Sequence, residues 1–187
     1  MSWKGPVLEK DDPYGTKNNN KTWNSVKHVQ EAQIIPEKDY KQIKNMVYKY
    51  GGVESSMYMS MSSRNMSSVY YNETEYAYCY KGKNKPNHDV VIIGWDDNYS
   101  VDNFNPNKKP KNPGAYICLN SYGTESFADG YTYVSYDDVN IEKNLTGIMG
   151  TEEISENKKI YQNDFYGATT RLSLIHISEP TRQAEIS

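Results

Sequence analysis

Two stretches decide how this chain is read. Pro86-Asn87-His88-Asp89-Val90-Val91-Ile92-Ile93-Gly94-Trp95 sets a histidine at the mouth of a short apolar run. Ala115-Tyr116-Ile117-Cys118-Leu119-Asn120-Ser121-Tyr122-Gly123-Thr124 sets an asparagine at the end of a second one. Residues 89–95 (DVVIIGW) have the pattern of a strand buried on both faces. Residues 114–119 (GAYICL) and 130–136 (GYTYVSY) read as two further strands. The intervening 96–113, rich in Asn, Asp, Lys and Pro, reads as a long loop, and 120–129 as a Gly- and Ser-containing connection.

Upstream lies the clearest helical pattern. Pro36 suits a first turn, and Glu37 and Asp39 complement the positive end of the macrodipole. Tyr40, Ile43, Val47 and Tyr50 recur at spacings of three, four and three, giving one apolar stripe of core packing. Gly51-Gly52 supplies the residue type that most readily ends a helix in the left-handed conformation. Residues 26–35 and 53–59 read as strands; in the latter Val53, Ser55, Met57 and Met59 share one face. Residues 3–14 and 15–22 read as loops, with Gly5-Pro6 and Asp12-Pro13 as turn signals. One helix followed by several strands implies an α+β fold with a mainly antiparallel sheet or barrel.

Composition narrows the partners. The chain has 187 residues, enough for one moderate core. Its 21 Lys+Arg against 24 Asp+Glu leave a formal net charge of −3. No basic patch tracks a phosphate backbone, and Lys108-Lys109-Pro110-Lys111 reads as a solvated loop, so nucleic acid is not the expected partner. The 18 Tyr, three Trp and three Phe offset a mean hydropathy of −0.88 and mark a folded, Tyr-rich chain. No stretch approaches the ~20 apolar residues that cross a bilayer, and residues 1–6 do not form a signal peptide. Cys79 and Cys118 alone make neither a disulfide framework nor a four-ligand zinc site. The methionines from Met57 to Met66 pack or line a groove, since no His or Cys accompanies them.

With the strands around them, the His88 and Asn120 segments resemble the second half of papain-like cysteine proteases. That family runs N-H-A-V-x-x-V-G-[YW], then W-x-x-K-N-S-W-G and a returning G-Y strand. The likeness is closest to bacterial members with Gly-Trp-Asp-Asp after the histidine strand, as at Gly94 to Asp97. It covers residues 3–167 and implies a papain-like fold, mainly its β-rich half. It also implies hydrolysis of peptide or protein substrates, with no metal or organic cofactor. By the family pattern His88 is the acid/base that holds a cysteine thiolate and protonates the leaving amine. Asn120 accepts the second ring N–H and fixes the imidazole. Tyr122 stands where the family places an indole that shields that bond.

The family's nucleophile lies upstream of the histidine, opening a helix within Q-G-x-C. No such segment occurs here. Cys79 sits in an aromatic stretch and Cys118 inside a strand, so neither fits the nucleophile's place, and His28 reads as structural. Gly5-Pro6-Val7 and Asp11-Asp12-Pro13-Tyr14 resemble the stretch that follows the nucleophile helix. The expectation is therefore a polypeptide that starts after the nucleophile and is inactive by itself, from an exported or surface-bound parent. Residues 172–187 (LSLIHISEPTRQAEIS) match a translated sequencing-library adapter. His176 is set aside with them, leaving residues 1–171 as a partial peptidase domain.

Other positions depart from the family. Asp89 follows the histidine where Ala is usual, placing a carboxylate beside the imidazole, where contact would favour the charged ring. Leu119 replaces Lys, and Ser126-Phe127-Ala128 stands where Ser-Trp-Gly is common. With Tyr122, these changes raise a second expectation: a degenerate papain-like module that binds rather than cleaves.

Overall fold

A computed structural model describes residues 5–8, 10–12, 24–62, 65, 67–124 and 127–155. The readings made for residues 15–22, Met66, Ser126 and 172–187, with His176, lie outside the described residues. Chain contacts divide the molecule into two units, residues 1–30 with 151–187, and residues 31–150.

The elements follow in the order β1 (Lys27–Ile35), α1 (Tyr40–Tyr50), β2 (Val53–Met57), β3 (Tyr71–Asn72), β4 (Ala77–Tyr78), β5 (His88–Asp96), β6 (Ala115–Leu119), β7 (Tyr131–Ser135) and β8 (Lys143–Glu153). Hydrogen-bonded neighbours give the sheet order β1-β8-β2-β5-β6-β7-β4-β3. The pairings β2–β5, β5–β6, β6–β7, β2–β8 and β3–β4 are antiparallel, and β4–β7 is parallel. This is the expected α+β architecture with a mainly antiparallel sheet. None of the described helices is long and apolar enough to cross a membrane.

In the first unit Pro6 accepts from the Val26 amide, and Leu8 accepts from the amides of Asp11 and Asp12. A β-carbon on Gly5, at φ +94°, would meet the Lys27 carbonyl oxygen at 1.7 Å, so only glycine fits there. Ion pairing of Lys27 with Glu153 and a 2.9 Å bond from Gln30 to Glu152 tie β1 to β8 within this unit.

In the second unit, residues 31–150, the helix begins later than the sequence pattern suggests. Residues 36–38 form a turn, and Asp39 is the N-cap, its side chain accepting from the Gln42 amide at 3.0 Å. The buried face is Ile43, Met46 and Val47, while Tyr40 and Tyr50 stay half-exposed. Gly51 closes the helix in the left-handed region at φ 91°, its N–H bonded to the Val47 carbonyl. That face packs into one core with Val53, Met57, Val90, Ile92, Tyr116, Cys118, Val134, Ile141 and Leu145.

The run 89–95 is not buried on both faces. Val90 and Ile92 are in the core, but Val91 is exposed. The register sets Glu54, Val91, Leu119 and Tyr131 in one cross-strand row on the outer face. In an antiparallel sheet only one face needs a core, and helices need not cover the other. The loop after β5 covers part of that outer face instead: Tyr99 and Phe104 pack with Ala77, Cys79, Ala115 and Tyr133.

Candidate active site

His88 opens β5 opposite Met57 of β2, and Asn120 follows the last residue of β6. The antiparallel β5–β6 ladder pairs Val91 with Leu119, so the two ends meet although 32 residues separate them. His88 Nε2 lies 3.0 Å from Asn120 Oδ1. An amide oxygen only accepts, so the ring nitrogen facing it carries the proton and Nδ1 stays available on the other side. Asn120 is buried, His88 partly exposed.

An aromatic ladder lies against the His88 ring. The Tyr122 ring lies 4.9 Å from the His88 ring, at 38°. Phe127 stacks on Tyr122 at 6.0 Å and 17°, and meets Tyr71 edge-on at 5.5 Å. The Tyr122 hydroxyl donates to the Met61 carbonyl at 3.4 Å. The connection that carries Tyr122 and Phe127 holds Phe127, Asp129 and Gly130 at positive φ. Its ends are pinned by a 2.9 Å bond from the Asn120 amide to the Gly130 carbonyl.

Asn87 was quoted in the motif but given no role by sequence. Its Oδ1 accepts from the Met59 amide at 2.7 Å and its Nδ2 donates to the Met59 carbonyl at 3.1 Å. Its own amide bonds to the Met57 carbonyl at 3.0 Å. These three bonds clamp the entry to β5 onto the end of β2, directly before the histidine. The partner lies 28 residues away, so nothing local in the sequence announces it.

Asp89 finds its hydrogen-bond partner on the neighbouring strand β2. Successive strand residues point to opposite faces, and Asp89 Oδ1 accepts from Ser56 Oγ at 2.7 Å. Ser56 Oγ also accepts from Asn144 Nδ2 at 3.2 Å. Asn144 takes φ 53° where the β2–β8 register slips, a bulge position that asparagine tolerates well.

Both thiols are free and buried. Burial pushes Cys79 up to about 12, and Cys118 is raised further for the same reason. A thiol held protonated is a poor nucleophile and a poor metal ligand. Among the described residues no group of three or more His, Cys, Asp or Glu side chains is arranged to hold a metal ion.

Comparison with known proteins gives these features a family. The model of the papain family cysteine proteases matches residues 1–149. The chain belongs to that family. Among solved structures, this papain family chain is similar to the cysteine protease and lectin-like domains of Cwp84, a surface layer associated protein of Clostridium difficile. Identity is 34%, the match covers 86% of this chain and 36% of that one, and the TM-score is 0.73. Clostridial Cwp84 after propeptide cleavage gives 32% identity, 89% and 42% coverage and a TM-score of 0.75. The chain thus spans well under half the length of these two relatives. Bromelain of Ananas comosus, at 17% identity, 77% and 62% coverage and a TM-score of 0.51, shares the fold. No curated protein matches the chain. As a family member the chain has the papain-like fold, with bacterial relatives.

Proposed function

We propose that this chain carries the histidine and asparagine of a Cys-His-Asn endopeptidase whose nucleophile belongs to a part of the protein outside it. The observation that carries the reading is the 3.0 Å contact of His88 Nε2 with Asn120 Oδ1 beneath the Tyr122 ring. With Nε2–H donated to Asn120, Nδ1 is the nitrogen free to hold a proton against a thiolate. The thiolate would attack the carbonyl carbon of a peptide or protein substrate. His88 would pass its Nδ1 proton to the departing amine, then take one from the water that releases the acyl group. Asn120 would keep the ring aimed through both steps.

Cys79 and Cys118 do not serve as the nucleophile in this reading, because burial keeps both thiols protonated. Removing one member of a catalytic unit abolishes most of its rate, so the 187-residue chain should be inactive as it stands. A thiol-directed epoxide added to the folded chain should leave both cysteines unlabelled. Stoichiometric labelling together with peptide turnover would overturn the reading. In a longer protein that bears the nucleophile, His88→Ala should lower kcat at least ~1,000-fold. An unchanged kcat would remove His88 from the mechanism.

Likeness to a surface-layer-associated protease supports an exported or surface-bound parent. We assign residues 1–171 to the peptidase domain and 172–187 to translated adapter. The family match ends before that tail, and resequencing the locus tests the assignment.

A degenerate binding module is the second reading. The exposed outer row of Val91, Leu119 and Tyr131 favours it, since apolar side chains aligned across strands suit a partner surface. A serine or glycine at the nucleophile's position in the longer protein would establish this reading, and a cysteine there would exclude it.

A further inference from the structure

The site has a back as well as a front, and its back is incompletely bonded. Among the described residues, Asn120 Nδ2 and Thr132 Oγ1 are the buried side-chain polar atoms that lack a hydrogen-bond partner. Asn120 is 6% exposed and Thr132 1%. Leaving such groups unpaired in a core is unfavourable, so two orphans in one region need a common explanation.

They are neighbours. The β6–β7 register pairs Cys118 with Thr132, and the Asn120 amide bonds to the Gly130 carbonyl. Alternation along both strands then puts Asn120, Cys118 and Thr132 on the core-facing side, with Asn120 and Thr132 on a diagonal. Diagonal side chains in an antiparallel pair have β-carbons about 7 Å apart or slightly less. Side chains on such a diagonal can set an amide nitrogen and a hydroxyl oxygen about 5 Å apart, the span of one water with two hydrogen bonds of about 2.9 Å.

We infer that Thr132 is a positioning residue for Asn120: its hydroxyl and the Asn120 amide N–H2 share one buried water, which anchors the amide behind His88. The inference rests on the proposed role of the His88–Asn120 pair for its functional meaning, not for its geometry. An amide bonded only through Oδ1 can rock about its last torsion, which is broad and soft. One bonded at both ends cannot, and the ring N–H it accepts is then held in place. Valine at position 132 would keep the shape and remove the anchor, whereas serine would keep the hydroxyl.

NMR of the full 187-residue chain labelled with nitrogen-15 tests this without needing turnover. In Thr132→Val the His88 Nε2–H proton should exchange with solvent at least ~10-fold faster, as expected when a bond worth about 1.4 kcal/mol of protection is lost. The Asn120 side-chain amide protons should exchange faster too. Thr132→Ser should keep both rates within about twofold of the parent. Parent-like rates in Thr132→Val, or equal acceleration in Thr132→Ser, would overturn the inference. Should the valine variant not fold, comparing Thr132→Ala with Thr132→Ser isolates the hydroxyl in the same way. If exchange responds as expected but His88→Ala leaves the nucleophile-bearing protein active, the anchor stands and the catalytic reading fails.

Discussion

Asn87 and Asp138 show how single residues hold the segments that lead to His88. Asn87 binds both backbone groups of Met59. Asn87→Ala deletes two hydrogen bonds of ordinary length and should lower unfolding stability by about 1–2 kcal/mol in urea titration. Asp138 accepts from the amides of Tyr80, Asn140 and Ile141, and so grips the residues after β4. Burial still dominates and raises its carboxyl to about 6, above its ordinary 3.8. The folded state therefore binds this proton more tightly than the unfolded state. The stability it confers is complete below about pH 4 and is lost as pH rises through about 6. The loss is on the order of 3 kcal/mol. Glu142 is raised too, by burial, and adds a slope of the same sign. Asp138→Asn should flatten the decline of melting temperature between about pH 4 and 7, measured by circular dichroism. An unaltered slope would refute this assignment.

Elements depend on their ends as much as on their faces. The α1 helix starts at a cap rather than at Pro36, because Asp39 supplies the acceptor that its first free N–H groups require. Asp39→Ala should cost about 1 kcal/mol, read by chemical denaturation, with the core face of the helix unchanged. The apolar period was legible from sequence, but its limits were not. Tyr40 and Tyr50 fit the spacing yet sit at the ends of the helix, where Met46 rather than either tyrosine completes the buried face. β8 was missed altogether. Its sequence, KNLTGIMGTEE, mixes polar residues and two glycines, and it becomes a strand by pairing with β2 and burying Leu145.

At the scale of the molecule, the two cysteines lie in different cores: burial of Cys118 follows from its place inside a strand, whereas that of Cys79 depends on the loop after β5. Cys79 packs with Tyr99, Phe104 and Ala115, and Cys118 with the α1 core. Both should stay silent to Ellman's reagent in the folded chain, and two thiols should appear on adding denaturant. A fast-reacting thiol in native buffer would contradict the packing.

The sequence by itself determined the family, the α+β class, the histidine-strand and asparagine-strand motifs, and the glycine that ends α1. These are encoded in short spacings, where neighbouring residue types limit the backbone directly. The family pattern already implied that Asn120 accepts from the His88 ring; only the tertiary structure decided that Asn87 clamps Met59 and that Asp89 accepts from Ser56. Each depends on strand register, which pairs residues 28–33 positions apart and sends adjacent side chains to opposite faces. A local reading carries no information about which partner the register will bring, so Ser56 as the partner of Asp89 and Thr132 as the neighbour of Asn120 went unread.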